Sequence, residues 1–346
     1  PILSSSDLKT WRLTGFVFPS GAAPAWAVTE PNLADFWAPE LHEVGQEWWV
    51  CFSARTHDRS MAIGLARASS PDGPFTPDPE PLVQGDVIDA HIVQEQNGTA
   101  WLVWKKDDNG LWPGLLAQLL HASPELCSIL FIQPQDQRTA ALATTMWPWT
   151  KGRPPMEQFF VLQTLIEAVS SDLAGFADRL DAVRGQRRGG SYTLLEGIAA
   201  ALRTRIYAQK LATDGRRLIG EPQVILQNDL PWEGHLIEGV WITPKSGRYY
   251  LLYAGNDFST GYYGIGAAVA DHPSGPYIKH NEVFISSTEA WWGPGHPSVA
   301  VLDDGRLGLF LHAYPAGAAG YKSFRALLFG SLELRDGMIS MASQQP

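Results

Sequence analysis

Short apolar runs recur along the chain, each opened by a polar or aromatic residue and split by a tight turn. The first is Trp37-Ala38-Pro39-Glu40 leading into Glu47-Trp48-Trp49-Val50. The second runs from Asp89-Ala90-His91-Ile92 through Gln96-Asn97-Gly98 into Ala100-Trp101-Leu102-Val103-Trp104. The third runs from Glu238-Gly239-Val240-Trp241 through Ser246-Gly247 into Tyr249-Tyr250-Leu251-Leu252-Tyr253, and the fourth from His296-Pro297-Ser298-Val299 through Asp304-Gly305 into Leu307-Gly308-Leu309-Phe310. Asn-Gly, Ser-Gly and Asp-Gly tolerate the positive φ that two-residue hairpin turns demand, so each pair reads as a β-hairpin.

The repetition extends beyond the hairpins. Ile63-Gly64-Leu65-Ala66-Arg67-Ala68, closing on Asp72-Gly73-Pro74-Phe75, returns as Ile265-Gly266-Ala267-Ala268-Val269-Ala270, closing on Ser274-Gly275-Pro276-Tyr277. These are third strands with a shared turn, and Arg205–Leu211 is a further strand. The period, about 50–60 residues once one long insertion is set aside, is that of four-stranded propeller blades. Ser6-Asp7-Leu8-Lys9-Thr10-Trp11 reads as the outer edge of an additional blade, and Phe324 to Ile339 as outer strands of the last. The predicted fold is an all-β five-bladed β-propeller, its first blade incomplete in this chain, with an α-helical insertion. A β-sandwich is the competing reading, and the period argues against it.

The insertion has a different texture. Leu162, Ile166, Val169, Leu173, Phe176, Leu180 and Val183 alternate steps of three and four, a helical seam. Pro154-Pro155 precedes it and Gly185 and Gly189-Gly190 follow, as start and stop signals. A second helix is expected over Leu194–Leu202 and a third within Leu115–Phe131. The expected division is therefore a propeller from 1–110 and 204–346, with the helical insertion at 111–203 emerging beside the start of the Asp89 strand. There it would act as lid, subsite wall or homo-oligomer contact.

Composition narrows the ligand. The chain is 45% hydrophobic, carries 14 Trp and has a net charge of -10, with a pI near 5.4. Nucleic acid and anionic membranes need clustered Lys and Arg, so neither is an expected partner. Indole rings and carboxylates suit a neutral polyhydroxylated ligand instead. The two cysteines, Cys51 and Cys127, make neither a disulfide framework nor a metal motif, and Cys51 reads as a buried hydrophobe. The apolar stretch Leu111–Ile132 is interrupted by Pro113, Gln118, His121, Pro124 and Glu125 and cannot span a bilayer. The chain reads as soluble, its compartment (cytoplasmic, secreted or periplasmic) open.

Innermost strands of a propeller start around one axis, so Trp37, Asp89, Glu238 and His296 are expected to face one small volume. A lone carboxylate at a strand start is ordinarily a cap; radial repetition makes several of them meet. With these residues the chain resembles glycoside hydrolase family 43, five-bladed propeller enzymes acting on arabinose- and xylose-containing glycans. The resemblance is carried by Phe36-Trp37-Ala38-Pro39-Glu40, Ile88-Asp89-Ala90-His91-Ile92, Leu236-Ile237-Glu238-Gly239 and Gly293-Pro294-Gly295-His296. Ser6–Trp11 and Ser70-Pro71-Asp72-Gly73-Pro74-Phe75 add to it.

The resemblance implies an inverting glycosidase, in which an acid protonates the leaving oxygen and a carboxylate about 6.5–9.5 Å away activates water. Glu238 matches the general acid, and Asp89 the carboxylate that orients it and raises its pKa. Trp37 matches a sugar platform; Asp35, Phe36, His91, Asn256 and Trp292 would line the pocket. His296 matches an axial histidine close to a bound cation or its water shell, so no cofactor is required but a structural Ca2+ in the channel is compatible. The implied activity is exo-acting release of α-L-arabinofuranosyl or β-D-xylosyl units from hemicellulose-type oligosaccharides; the alternative is a non-catalytic glycan-binding propeller. The family's base lies upstream of the Ser-x-Asp-Leu-x-x-Trp motif, and no residue after Pro1 matches it. The expectation is that it precedes Pro1, or that Asp35 or a residue of the insertion replaces it.

Overall fold

The computed structural model describes residues 1–30, 34–108, 110–320 and 323–342. Strands form one two-stranded and four four-stranded antiparallel sheets, each built from consecutive strands. The first pairs β1 (Ile2–Ser4) with β2 (Arg12–Gly15). The second contains β3 (Phe36–Val44), β4 (Glu47–Arg55), β5 (Met61–Ala68) and β6 (Thr76–Pro77). The third contains β7 (Val87–Gln94), β8 (Ala100–Lys106), β9 (Arg205–Leu211) and β10 (Leu218–Gln227). The fourth contains β11 (Ile237–Lys245), β12 (Arg248–Gly255), β13 (Gly264–Ala270) and β14 (Ile278–Lys279). The fifth contains β15 (Trp291–Val301), β16 (Leu307–Pro315), β17 (Ala326–Arg335) and β18 (Met338–Met341). This is the five-bladed propeller with a short first blade that the repeat predicts.

The apolar alternation of the hairpins is spent between blades. Cys51, Ile63 and Leu65 of the second blade pack on Ile92, Leu102 and Trp104 of the third. Val103 and Ile206 of the third meet Ile242 and Leu251 of the fourth, and Leu252 and Ile265 of the fourth meet Leu309 and Leu311 of the fifth. Cys51 is fully buried, and its thiol donates to Ala90 O across the second interface. Strands β3, β7, β11 and β15 contact one another around the axis. There a polar cluster ties three blades together. Glu40 Oε2 lies 2.7 Å from His91 Nδ1 and 3.0 Å from His42 Nε2, while His91 Nε2 accepts the Ile242 N–H at 3.0 Å. Trp241 stacks on His42 with ring centroids 5.4 Å apart.

Burial holds several histidines neutral. It depresses the pKa of His91 to about 3 and of His235 to about 4. It takes His312 to about 3, aided by the cation of Arg325. A histidine whose folded pKa is depressed leaves the unfolded chain to bind the proton first, so stability is lost as pH falls below the unfolded value. Buried carboxyls such as Glu40 titrate in the opposite sense, so a difference measurement isolates one group. Between about pH 6.5 and 5 the wild type should lose about 1.5 kcal/mol more than His312→Gln, measured by urea denaturation. Parallel pH curves for the two proteins would contradict it.

Between β8 and β9 the chain forms six helices: α1 (Leu111–Ala122), α2 (Leu126–Leu130), α3 (Pro134–Thr150), α4 (Pro155–Ser170), α5 (Leu173–Gln186) and α6 (Gly190–Ala201). They enclose a core of their own, with Leu116, Leu119 and Leu120 of α1 against Leu165 and Val169 of α4 and Leu195 and Ile198 of α6. The expected continuous seam from Leu162 to Val183 is two helices, bent by 95° at a break where Asp172 leaves helical geometry. Both halves still bury the seam in the same core, which is why the period survives the bend. The helix expected within Leu115–Phe131 is the body of α1, which ends where Ser123, ahead of Pro124, leaves helical geometry, and α2 follows. Helix α3 was not expected: its buried face is Ala140, Ala143, Thr144 and Thr150, too small to register as an apolar stripe. Among the described residues no single helix is long and apolar enough to cross a membrane.

Candidate active site

Each innermost strand of the four larger blades carries a register irregularity near its start, between Trp37 and Glu40, Ile88 and His91, Glu238 and Trp241, and Gly295 and Ser298. One extra residue is accommodated there, and a bulge of this kind re-aims the neighbouring side chains. The same step of each bulge has positive φ: Ala38 at 45°, Asp89 at 57°, Gly239 at 57° and His296 at 47°. Asp and His are among the side chains that tolerate this region. At 239 a Cβ would sit 3.1 Å from His296, so the blades approach closely there and glycine fits. The four residues that the sequence aligns as equivalents thus fall into two registers. Trp37 and Glu238 stand one residue before the left-handed position, whereas Asp89 and His296 occupy it.

That offset makes Asp89 and Glu238 partners. Asp89 Oδ2 accepts the Gly239 N–H at 2.9 Å, the peptide that immediately follows Glu238, and the Asp89 N–H donates to Ser53 Oγ at 3.2 Å. The Glu238 side chain is 14% exposed and has a lysine at its far edge, Lys105 Nζ lying 3.6 Å from Oε2 with the lysine side chain fully buried. On the other edge Tyr263 O–H donates to Oε1 at 2.7 Å. Burial pushes the Glu238 carboxyl above the usual range; the Lys105 cation opposes this, the Asp89 charge reinforces it, and Tyr263 and His296 oppose it. A carboxyl held protonated above its ordinary value, in a bound orientation, is what a general acid requires.

Phe36, Trp37 and Trp292 are 39%, 40% and 38% exposed, partly open aromatic rings at the starts of β3 and β15. Asp35 pairs with Arg55, whose guanidinium lies 5.8 Å from the Trp37 ring centre. Two expected pocket residues are engaged within the protein. His91 is 1% exposed with both ring nitrogens engaged in the axial cluster. Asn256 spends its side chain on the protein, donating to Trp232 O at 2.9 Å and accepting from Asp257 N–H at 2.8 Å. It thereby secures the loop before β11.

Sequence reasoning missed Lys105 and Tyr263. Lys105 follows the apolar run Ala100–Trp104 and reads as the polar end of a strand; the bulge pairs it with Ile88, beside Asp89. Tyr263 adjoins Tyr262, and nothing local separates a side chain that is 2% exposed from one that is 81% exposed. Alternation into the buried strand β13 was the one available signal. The helical insertion reaches this region too: Gln163 of α4 donates to Asp257 Oδ2 and Ser259 Oγ, both at 3.2 Å, on the loop that ends at Tyr263. Trp112 of α1 packs edge-on against His235, three residues before Glu238.

For a channel cation, His296 is half-buried and shares the field of Glu40 and Glu238. One imidazole among carboxylates fits a hydrated hard cation better than a directly ligated soft one. Glu40, His42 and Cys51 also bring donor atoms within 4.8 Å of one another. Their hydrogen bonds to one another, to His91 and to Ala90 O already account for that closeness.

Comparison with known proteins agrees with this fold. The family model described as "Glycosyl hydrolases family 43" matches residues 1–124 and 172–339, the gap falling within the helices. Xylosidase/arabinosidase 43A of Humicola insolens is 35% identical over 80 residues, a match covering 23% of this chain and 23% of that protein. Among solved structures, a thermostable family-43 glycoside hydrolase is 25% identical with a TM-score of 0.66, covering 99% of this chain and 86% of that one. An α-L-arabinanase of Cellvibrio cellulosa, complexed with arabinohexaose, aligns at 16% identity and a TM-score of 0.57, over 98% of this chain and 87% of its own.

Proposed function

The chain belongs to glycosyl hydrolases family 43, and from that premise we propose that it is an exo-acting, inverting glycosidase releasing α-L-arabinofuranosyl or β-D-xylosyl units from oligosaccharides. The observation that carries the reading is the Asp89–Gly239 hydrogen bond, which fixes the peptide beside Glu238 while the Glu238 carboxyl is flanked by Tyr263 and Lys105. Glu238 gives its proton to the glycosidic oxygen as the bond to the anomeric carbon breaks, while a water molecule bonds to the opposite face of that carbon and passes its proton to a second carboxylate acting as base. Asp89 holds the acid's strand and, as a nearby negative charge, favours the protonated acid beforehand. Trp37, Phe36 and Trp292 offer apolar faces to the C–H side of a sugar. A hydrated Ca2+ associated with His296 through its water shell would supply positive field to the channel, and no bond-making step depends on it.

The clasp of α4 on the loop before Tyr263 favours a walled pocket and hence exo action. The test is hydrolysis of p-nitrophenyl α-L-arabinofuranoside and β-D-xyloside, with the anomer released followed by proton NMR. Turnover of at least one, with inverted product, is expected. A retained anomer would overturn the inverting mechanism. Absence of turnover with measurable binding of arabinose or xylose oligosaccharides would instead make the chain a glycan-binding propeller.

A further inference from the structure

A fully buried lysine with an incomplete set of partners is costly, because three N–H donors leave water together with the charge. Lys105 is such a residue: its side chain has no exposed surface, and Nζ has no hydrogen-bond partner among the described residues. Its ion-pair contact is Glu238 Oε2 at 3.6 Å. Strand β8 allows little freedom here, since Lys105 is paired to Ile88 on one side and Ile206 on the other. The ammonium is therefore delivered to the acid by the sheet itself, at the point where the β7 bulge turns Asp89 toward Gly239.

We propose that Lys105 is a positioning residue for Glu238, setting the orientation of its carboxyl and stabilising the carboxylate left after the proton passes to the leaving group. The inference rests on the reading of Glu238 as the acid. Tyr263 occupies the Oε1 edge at 2.7 Å and Lys105 the Oε2 edge, so the carboxyl is held from both sides and its plane is determined. Before transfer Glu238 is protonated and neutral beside the Asp89 charge; after transfer its new negative charge faces a cation already in place, with no solvent to reorganise. The other charged or titratable groups around the pair are Asp89 from β7, His296 from β15 and Tyr263 at the head of β13 on the Glu238 side, with Asp107, Asp108 and His235 on the Lys105 side.

The test replaces Lys105 by Met and by Gln, neutral side chains of similar length that a buried site accepts more readily than an unpaired charge. The pH profile of kcat on the better p-nitrophenyl glycoside is compared with wild type. Without the cation Glu238 holds its proton more tightly. The basic limb should then move up by about one pH unit or more, kcat should fall about 10- to 100-fold, and KM should stay within about 2-fold. Lys105→Arg keeps the charge and should leave the limb near the wild-type position. In parallel, carboxyl-carbon NMR of glutamate-labelled protein, with Glu238→Gln assigning the resonance, follows the Glu238 titration whether or not the chain turns over substrate. If wild type hydrolyses nothing, the functional reading fails, but a Glu238 titration raised in Lys105→Met still supports the pairing. An unmoved titration in folded Lys105→Met or Lys105→Gln, or an unmoved basic limb, would overturn the inference.

Discussion

Replacing Glu238 by Gln should lower turnover about a hundred- to ten-thousand-fold while leaving oligosaccharide binding nearly unchanged. The amide is the same shape as the acid and can still accept the Tyr263 hydroxyl, so the mouth of the channel keeps its form. What disappears is the proton. Protonating the leaving oxygen matters most when that oxygen is a poor leaving group, so the loss should be large on an unactivated disaccharide and much smaller on a 2,4-dinitrophenyl glycoside. Steady-state rates on both substrates, with calorimetric binding of the disaccharide, check this. A variant that retained the wild-type rate on the disaccharide would remove Glu238 from the acid's role, and an equal loss on both substrates would indicate damage to the pocket instead.

Glu233→Ala should cost about 3–5 kcal/mol of stability, because it breaks a buried charge pair by deleting one partner. Glu233 has no exposed surface. Its carboxylate accepts the N–H groups of Asp229 and Leu230 at 2.7 and 2.8 Å, the Tyr253 hydroxyl at 2.5 Å and Lys279 Nζ at 2.6 Å. Truncation orphans three of the four donors, the Asp229 and Leu230 N–H groups and the Tyr253 hydroxyl, and leaves Lys279, whose side chain is 10% exposed, on Asp229 and the Gln227 carbonyl. The effect should reach the site, since Glu233 closes the 3-10 turn Pro231–Glu233, five residues before Glu238. Urea unfolding gives the stability, and kcat at a temperature where both proteins are folded gives the functional part. A loss below about 1 kcal/mol would mean that the pair contributes no more than an exposed one.

The blades were legible because their evidence is local. Hairpin turns such as Asn97-Gly98 and Asp304-Gly305, and the repeated third strands, need no knowledge of distant contacts. The convergence of Asp89 and Glu238 followed from the same repeat. Its finer geometry did not, because a bulge inserts one residue without leaving a mark in the apolar pattern. Thus Trp37, Asp89, Glu238 and His296 read as four equivalents where the structure has two registers. His91 sits among site motifs, and its enclosure depends on Glu40 and Ile242, which lie in other blades. Lys105 illustrates the converse. A lysine ending an apolar strand looks solvated until the neighbouring blade closes over it.

The pairing of β8 with β9 has a consequence for how the chain reaches this structure. Lys105 and Ile206 are register partners, yet the whole helical insertion lies between them. Closing a flexible loop costs entropy that grows only logarithmically with length, about 0.6 kcal/mol per doubling, but the search for its partner slows as contacts become less local. Here the first and last helices of the insertion, α1 and α6, pack side by side, with Leu116 and Leu120 in the same core as Leu195 and Ile198. Once those two helices meet, the excursion behaves as a short connection, and β9 is presented to β8 almost as in an ordinary hairpin. The third blade, which carries both Asp89 and Lys105, is therefore expected to gain hydrogen-exchange protection in refolding only after the helices do. The timing of the candidate site's formation would then be set by the helical insertion.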